Sequence, residues 1–206
     1  MKQRKLSVKH PNLHTENNLN FQFIWLGQTI LKYQVPLDIF NTLNGIYENN
    51  FANLPDAHKQ LVGKIAKENS LFYGGNPTEK MHPHNLLSPY ILKWFESVFR
   101  HYLDFNRIDK YNLTIQSIWV NEMKAGEYNP IHIHQGDRYT GLSSVMMLKL
   151  PKDMGPEYAR PDVKTNGKLS IIGAANGQFV KSDYSPNTKE RDFYIFPYDM
   201  RHCVYP

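Results

Sequence analysis

The spacing of apolar residues changes once along the chain, and that change limits the folds open to it. From about residue 37 to residue 105 they recur at helical intervals; from about residue 111 they fall into short runs broken by turn formers. Pro36 opens a run with Leu37, Ile39, Phe40, Leu43, Ile46 and Tyr47, and proline suits a first helical turn. Residues 55–66, with Leu61, Ile65 and Ala66 on one face, predict a second helix. Ser88-Pro89 caps a third that carries Tyr90, Leu92, Trp94, Phe95, Val98, Phe99 and Leu103. After the switch, residues 113–123, 131–134, 142–150, 168–172, 178–180 and 192–196 read as strands, with Gly126 and Asn129-Pro130 marking a turn and Pro151 closing the longest run. A helical block followed by many short strands predicts an α+β architecture: a sandwich or open barrel with helices packed on one sheet.

A chain of 206 residues suggests one domain. The expected division is a basic flexible arm over 1–18 and a single domain over 19–206, with a helical buttress at about 36–105 and a β core at about 111–206. Residues 1–10 hold Lys2, Arg4, Lys5 and Lys9 without an acid, so they account for four of the net +5 and leave the remainder nearly balanced. No basic stripe with interleaved aromatics follows, which argues against a nucleic-acid partner. No run approaches the roughly 18 apolar residues of a membrane span, and the first residues lack the apolar stretch of a signal peptide. A single cysteine, Cys203, excludes an internal disulfide framework. A cytoplasmic protein is expected.

Histidine placement is where chemistry enters. Of the nine, His10, His14, His58 and His101 show no partner in the pattern and read as surface residues. Two pairs have one-residue spacing, His82/His84 and His132/His134. On a strand, residues i and i+2 share a face, so two such imidazoles can enter one coordination sphere. His82 and His84 flank a proline in a turn-rich stretch and serve as the control. His132 and His134 lie in strand-like surroundings, with Asp137 just past Gly136, where a tight turn could swing a carboxylate back. The C-terminal run of apolar strand, Pro197 and then His202 would return a third imidazole to the same mouth. Two histidines and a carboxylate on one face suit Fe(II) and oxygen activation. The bland alternative is a set of histidines hydrogen-bonded in a polar core, with Asp137 capping a turn.

The segment Trp119-Val120-Asn121 through Gly126, Asn129-Pro130-Ile131-His132-Ile133-His134-Gln135-Gly136-Asp137, then Ser143 to Pro151, resembles the iron(II)- and 2-oxoglutarate-dependent oxygenases. It is closest to a small phage-borne, prolyl-hydroxylase-like branch. The closing Phe196-Pro197 and His202 to Pro206 are similar to that family's last metal-ligand strand. The resemblance, covering about residues 113–206, implies a double-stranded β-helix of jelly-roll type. It also implies Fe(II) held by a His–Asp–His triad, and oxidation of a substrate C–H bond by O2 coupled to decarboxylation of 2-oxoglutarate. The substrate would be a peptide prolyl or other side chain, or a small molecule.

The family's first motif is His-x-Asp, whereas this chain reads His-x-His-x-x-Asp. His202 is one ligand; either His132 or His134 pairs with Asp137, or both histidines bind and the site becomes three-histidine, as in cupins. The carboxylate set is the one favoured. The family also anchors the far carboxylate of 2-oxoglutarate with an Arg or Lys on a strand after the distal histidine, and the four residues that follow His202 here contain neither. Lys149 is the internal candidate for that anchor, with Asn121 and Tyr128 as further co-substrate contacts and Tyr198 within reach. Trp119 reads first as packing, and Arg201 is expected to face away. Two other functions share these features: a cupin-like metal or small-molecule binding module without turnover, and a phage structural or interaction protein using the fold as a scaffold.

Overall fold

The computed structural model describes residues 14–16, 18–57, 62–74, 86–134, 140–157, 160–175, 177–178 and 180–206. In chain order its strands and helices are β1 (His14–Glu16), β2 (Leu19–Leu26), β3 (Gln28–Gln34), α1 (Leu37–Asn50), β4 (Lys67–Tyr73), α2 (Pro89–Phe105) and β5 (Ser117–Glu122). They continue with β6 (Asn129–His132), β7 (Leu142–Met146), β8 (Leu169–Ile172), β9 (Asp183–Tyr184), β10 (Asp192–Pro197) and β11 (Arg201–Val204). The strands form a five-stranded sheet in the order β1-β2-β3-β10-β7, a four-stranded sheet in the order β6-β11-β8-β9, and the pair β4-β5. All of these pairings are antiparallel.

Strand alternation explains how the layers stack. Successive side chains of β10 point to opposite faces. Phe193 and Ile195 join a cluster with Ile39, Phe40 and Leu43 of α1 and Ile91, Phe95 and Val98 of α2. Tyr194 and Phe196 join a second cluster with Leu169 and Ile171 of β8. The five-stranded sheet therefore carries both helices on one face and the four-stranded sheet on the other. Buried on both faces, β10 reads as a nearly unbroken apolar run rather than an alternating one.

Both helices begin where the sequence marks them. Pro36 precedes α1, and Ser88 caps α2 by accepting the Ile91 N–H at 3.4 Å, with Pro89 at the first helical position. The expected helix over 55–66 does not form in the described part of that stretch. Its backbone instead bridges neighbouring strands, Asp56 to Asn69 and Lys64 to Tyr128. Ala57 N donates to Glu68 O at 2.7 Å and Ser70 N to Pro55 O at 2.9 Å. Gly63 already disfavours a helix there, by about 1 kcal/mol against alanine. The β4 strand, inside the expected helical buttress, occupies the following residues.

Three further expectations change. The 142–150 strand stops at Met146, because β7 can pair only as far as β10 extends, and β10 begins at Asp192. Gln178 and Val180 lie outside any strand, and the second short strand of that region is β9. His101 is buried, not on the surface: Nδ1 lies 2.9 Å from the Tyr33 hydroxyl, and its ring meets Phe21 edge-on. The hairpin β2–β3, turned at Gly27 with φ +85°, adds two strands in a region without a predicted element. The last residues of the stretch read as an arm pair with β2 as β1.

Candidate metal centre

The four-stranded sheet brings the histidines together. β6 and β11 pair antiparallel with His132 directly opposite His202. Directly opposite residues share a face, so both imidazoles enter the same side of the sheet. Between this pair and the Val204–Asn129 pair the register slips, three residues on β6 against two on β11, which is a bulge beside Pro130. A proline is admissible because β6 is an edge strand, and such a bulge re-aims the residues next to it. His134 follows just beyond β6. Its backbone N–H donates to Tyr198 O at 2.9 Å, which ties it to the turn between β10 and β11.

The resulting geometry is close. One ligand-capable atom from each of His132, His134 and His202 lies within 4.8 Å of the others. The His132 and His202 ring centroids are 4.2 Å apart, and those of His134 and His202 are 5.0 Å apart and stacked. His134 Nε2 is 3.2 Å from His202 Nε2. Two imidazole nitrogens bound side by side to one ion at about 2.1 Å would be separated by roughly 3 Å, so the observed spacing fits a shared metal.

Backbone carbonyls set the tautomers. His202 Nδ1 is 2.9 Å from Met200 O, and His132 Nδ1 is 2.7 Å from Pro130 O. A carbonyl can only accept, so both Nδ1 atoms carry a proton, and in the neutral ring each Nε2 keeps its lone pair. In metal sites this outer contact fixes ring orientation and raises ligand basicity. His134 Nε2–H can donate to His202 Nε2; moving that proton to Nδ1 would turn both lone pairs toward an ion. Burial, with a smaller contribution from the neighbouring His132, pushes His134 and His202 down to about 4, against the upward pull of the Met200 carbonyl on His202. Both are therefore neutral at pH 7, the state in which imidazole binds a metal.

Around this cluster the expected residues divide. Trp119 packs against the cluster, its ring centroid 5.6 Å from that of His134. Asn121, two residues along β5, shares that face, and its Oδ1 is buried without a hydrogen-bond partner. Asn129 Oδ1, on β6, is likewise buried and unpartnered. Trp119, Asn121, Asn129, Tyr198, Lys149 and the three histidines all line one broad, open cleft. Tyr128 is exposed, its backbone bonded to Lys64. Lys149 lies past the end of β7, so the alternation that would turn it inward does not reach it. Its side chain is 83% exposed, with Nζ 3.6 Å from Glu48 Oε1. Arg201 is exposed, at the start of β11. Asp137, His82 and His84 lie outside the described residues.

Residues 117–206 match the family described as "Putative 2OG-Fe(II) oxygenase". That span runs from the first residue of β5 and contains all three clustered histidines, Trp119 and Asn121. The oxygenase match and the histidine geometry thus meet in the same stretch and support the superfamily that the motifs resemble. No curated protein matches the chain. Among the described residues no helix is long and apolar enough to cross a membrane.

Sequence reasoning did not find the carbonyls of Pro130 and Met200. Both stand two residues before the histidine they orient, a spacing visible in the sequence, but a backbone acceptor has no residue-type signature.

Proposed function

We propose that this chain is an Fe(II)- and 2-oxoglutarate-dependent oxygenase that oxidises a C–H bond of its substrate with O2. The carrying observation is the three-histidine cluster inside the span that matches the oxygenase family. Bound iron would supply the redox chemistry of oxygen activation. His132 and His202 would hold it, with His134 and Asp137 as the sequence candidates for the remaining position. The protein's own contribution is orientation: two carbonyls keep the imidazoles in one tautomer, Trp119 packs beside His134, and Asn121 offers a buried amide to whatever enters the cleft. The double-stranded β-helix and the prolyl-hydroxylase-like, phage-borne branch belong to this proposal, as does a cytoplasmic setting. The two packed antiparallel sheets are compatible with that fold.

For co-substrate contacts the histidine-side placement favours Asn121 over Tyr128 and Lys149. The exposed Lys149 also favours a second reading, a cupin-like metal-binding module without turnover. Anaerobic addition of Fe(II) and then 2-oxoglutarate separates them. The oxygenase reading expects one equivalent of iron and a weak visible charge-transfer band on adding 2-oxoglutarate. Iron binding without the band would favour the module, and no stoichiometric iron would end both.

A further inference from the structure

We infer that the protein's metal ligands are His132, His134 and His202 alone, three neutral imidazoles with no carboxylate, so that a bound divalent ion keeps its full double charge and recruits anions. This rests on the reading that the cluster holds a metal, and it departs from the two-histidine, one-carboxylate set that the motif resemblance implies.

Three donors on one face are what such a site asks of the protein, and the cluster supplies three before Asp137 is reached. Their ligand atoms already lie within 4.8 Å of one another. His134 is not a bystander that happens to sit near two ligands. Its backbone is tied to Tyr198 O at 2.9 Å, its ring packs beside Trp119, and its Nε2 approaches His202 Nε2 at 3.2 Å. Those contacts hold its ring where a third ligand must be, with no help from a metal. His134 stands where the family pattern His-x-Asp has its carboxylate, two residues after His132 on the same line of chain. Exchanging that carboxylate for an imidazole removes one negative charge from the coordination sphere. Because Coulomb attraction scales with the product of charges, an anionic ligand entering an open position gains from the change. The ligand class is thus a small monoanion or an anionic chelate such as a 2-oxo acid.

The test uses the full 206-residue chain, Co(II) as the metal and azide as the anion, with near-ultraviolet circular dichroism to confirm that each variant is folded. The wild type is expected to bind one Co(II). His134→Ala should weaken it at least about a hundredfold, more than loss of an outer contact does, while Asp137→Asn leaves it unchanged. His134→Asp should still take one Co(II) but bind azide at least about tenfold more weakly than wild type, because the added carboxylate offsets one positive charge. The inference falls if Asp137→Asn loses Co(II) as strongly as His132→Ala, if His134→Ala keeps it, or if His134→Asp holds azide as tightly as wild type. Retention of wild-type affinity in both His132→Ala and His202→Ala is a different failure: it removes the metal centre itself, and the inference with it.

Discussion

On the helix side of β10, Phe193 meets the rings of Tyr33, Trp94, Phe95 and Phe99 at centroid distances of 5.6–6.3 Å. Past the other end of the same strand, across one tight turn, His202 meets Phe196, two imidazoles and a carbonyl oxygen. The first environment is filled by apolar side chains from two helices and a sheet, and it holds the layers together. The second is buried as well, with His202 only 3% exposed, but it is filled by groups that keep lone pairs. The contrast assigns stability to one end of β10 and chemistry to the other. It also corrects the expectation that His202 is an accessible mouth residue: its substitution removes buried volume as well as a ligand.

The contrast breaks first at Phe193. Phe193→Ala empties a 1%-exposed site between α2 and the five-stranded sheet. Truncations of this kind cost about 3–5 kcal/mol, a large share of the roughly 5–15 kcal/mol that holds a domain folded. The urea midpoint should fall steeply, and metal binding should vanish only together with the cooperative transition. Loss of metal binding at denaturant concentrations where Phe193→Ala is still folded would mean that the two ends of β10 are not separable.

How far the sequence reaches follows the same division. Period-2 and period-3.6 patterns made α1, α2, β5 and β7 visible, because burial of one face repeats at a fixed interval, and β10 was visible as a short apolar run between turn formers. Residues 19–34 alternate in the same way around Gly27, so the β2–β3 hairpin was legible though no element was predicted there. Residues 55–66 have a helical spacing that tertiary pairing overrides, since the backbone bridges β4 and the chain near Tyr128. His132, His134 and His202 were found from spacing and order. The way His134 is held against His202 was not, because it depends on a bulge beside Pro130 and a hydrogen bond to Tyr198 O that pattern cannot supply. Lys149 shows the opposite error: an alternation read past the point where its partner strand ends.

A second prediction sharpens the comparison through pH. His134 and His202 are held near 4 by burial, below the ordinary 6.5 of an unfolded imidazole. As pH falls from about 6.5 the unfolded chain takes up these protons first, so stability is full above that value and is lost progressively down to about 4. Urea midpoints of the metal-free protein at pH 7, 5.5 and 4 should therefore drop more in wild type than in a His134→Gln/His202→Gln double variant. Carboxylates titrating in the same range contribute equally to both proteins and cancel in the difference. Parallel slopes would show that the two imidazoles are solvated, and the mouth would lose its buried character.

The smallest effect is expected at Lys149. Its ammonium is exposed and faces an exposed Glu48, and ion pairs of that kind contribute about 0–1 kcal/mol, the lower end where both side chains are mobile in water. Lys149→Met should leave the urea midpoint and Co(II) affinity within error of wild type. The informative reading is 2-oxoglutarate. A lysine that anchored its far carboxylate would be worth about 1.5–3 kcal/mol, or about ten- to hundred-fold in affinity. Lying past the end of β7 and paired with Glu48 in solvent at the rim of the cleft, Lys149 is not expected to supply that, so the variant should bind 2-oxoglutarate as wild type does. Asn121→Ala, which removes an amide on the histidine side of β5, should weaken it instead. A tenfold loss in Lys149→Met with none in Asn121→Ala would reverse the assignment, returning the anchor to the strand end and leaving Asn121 as a wall of the cleft.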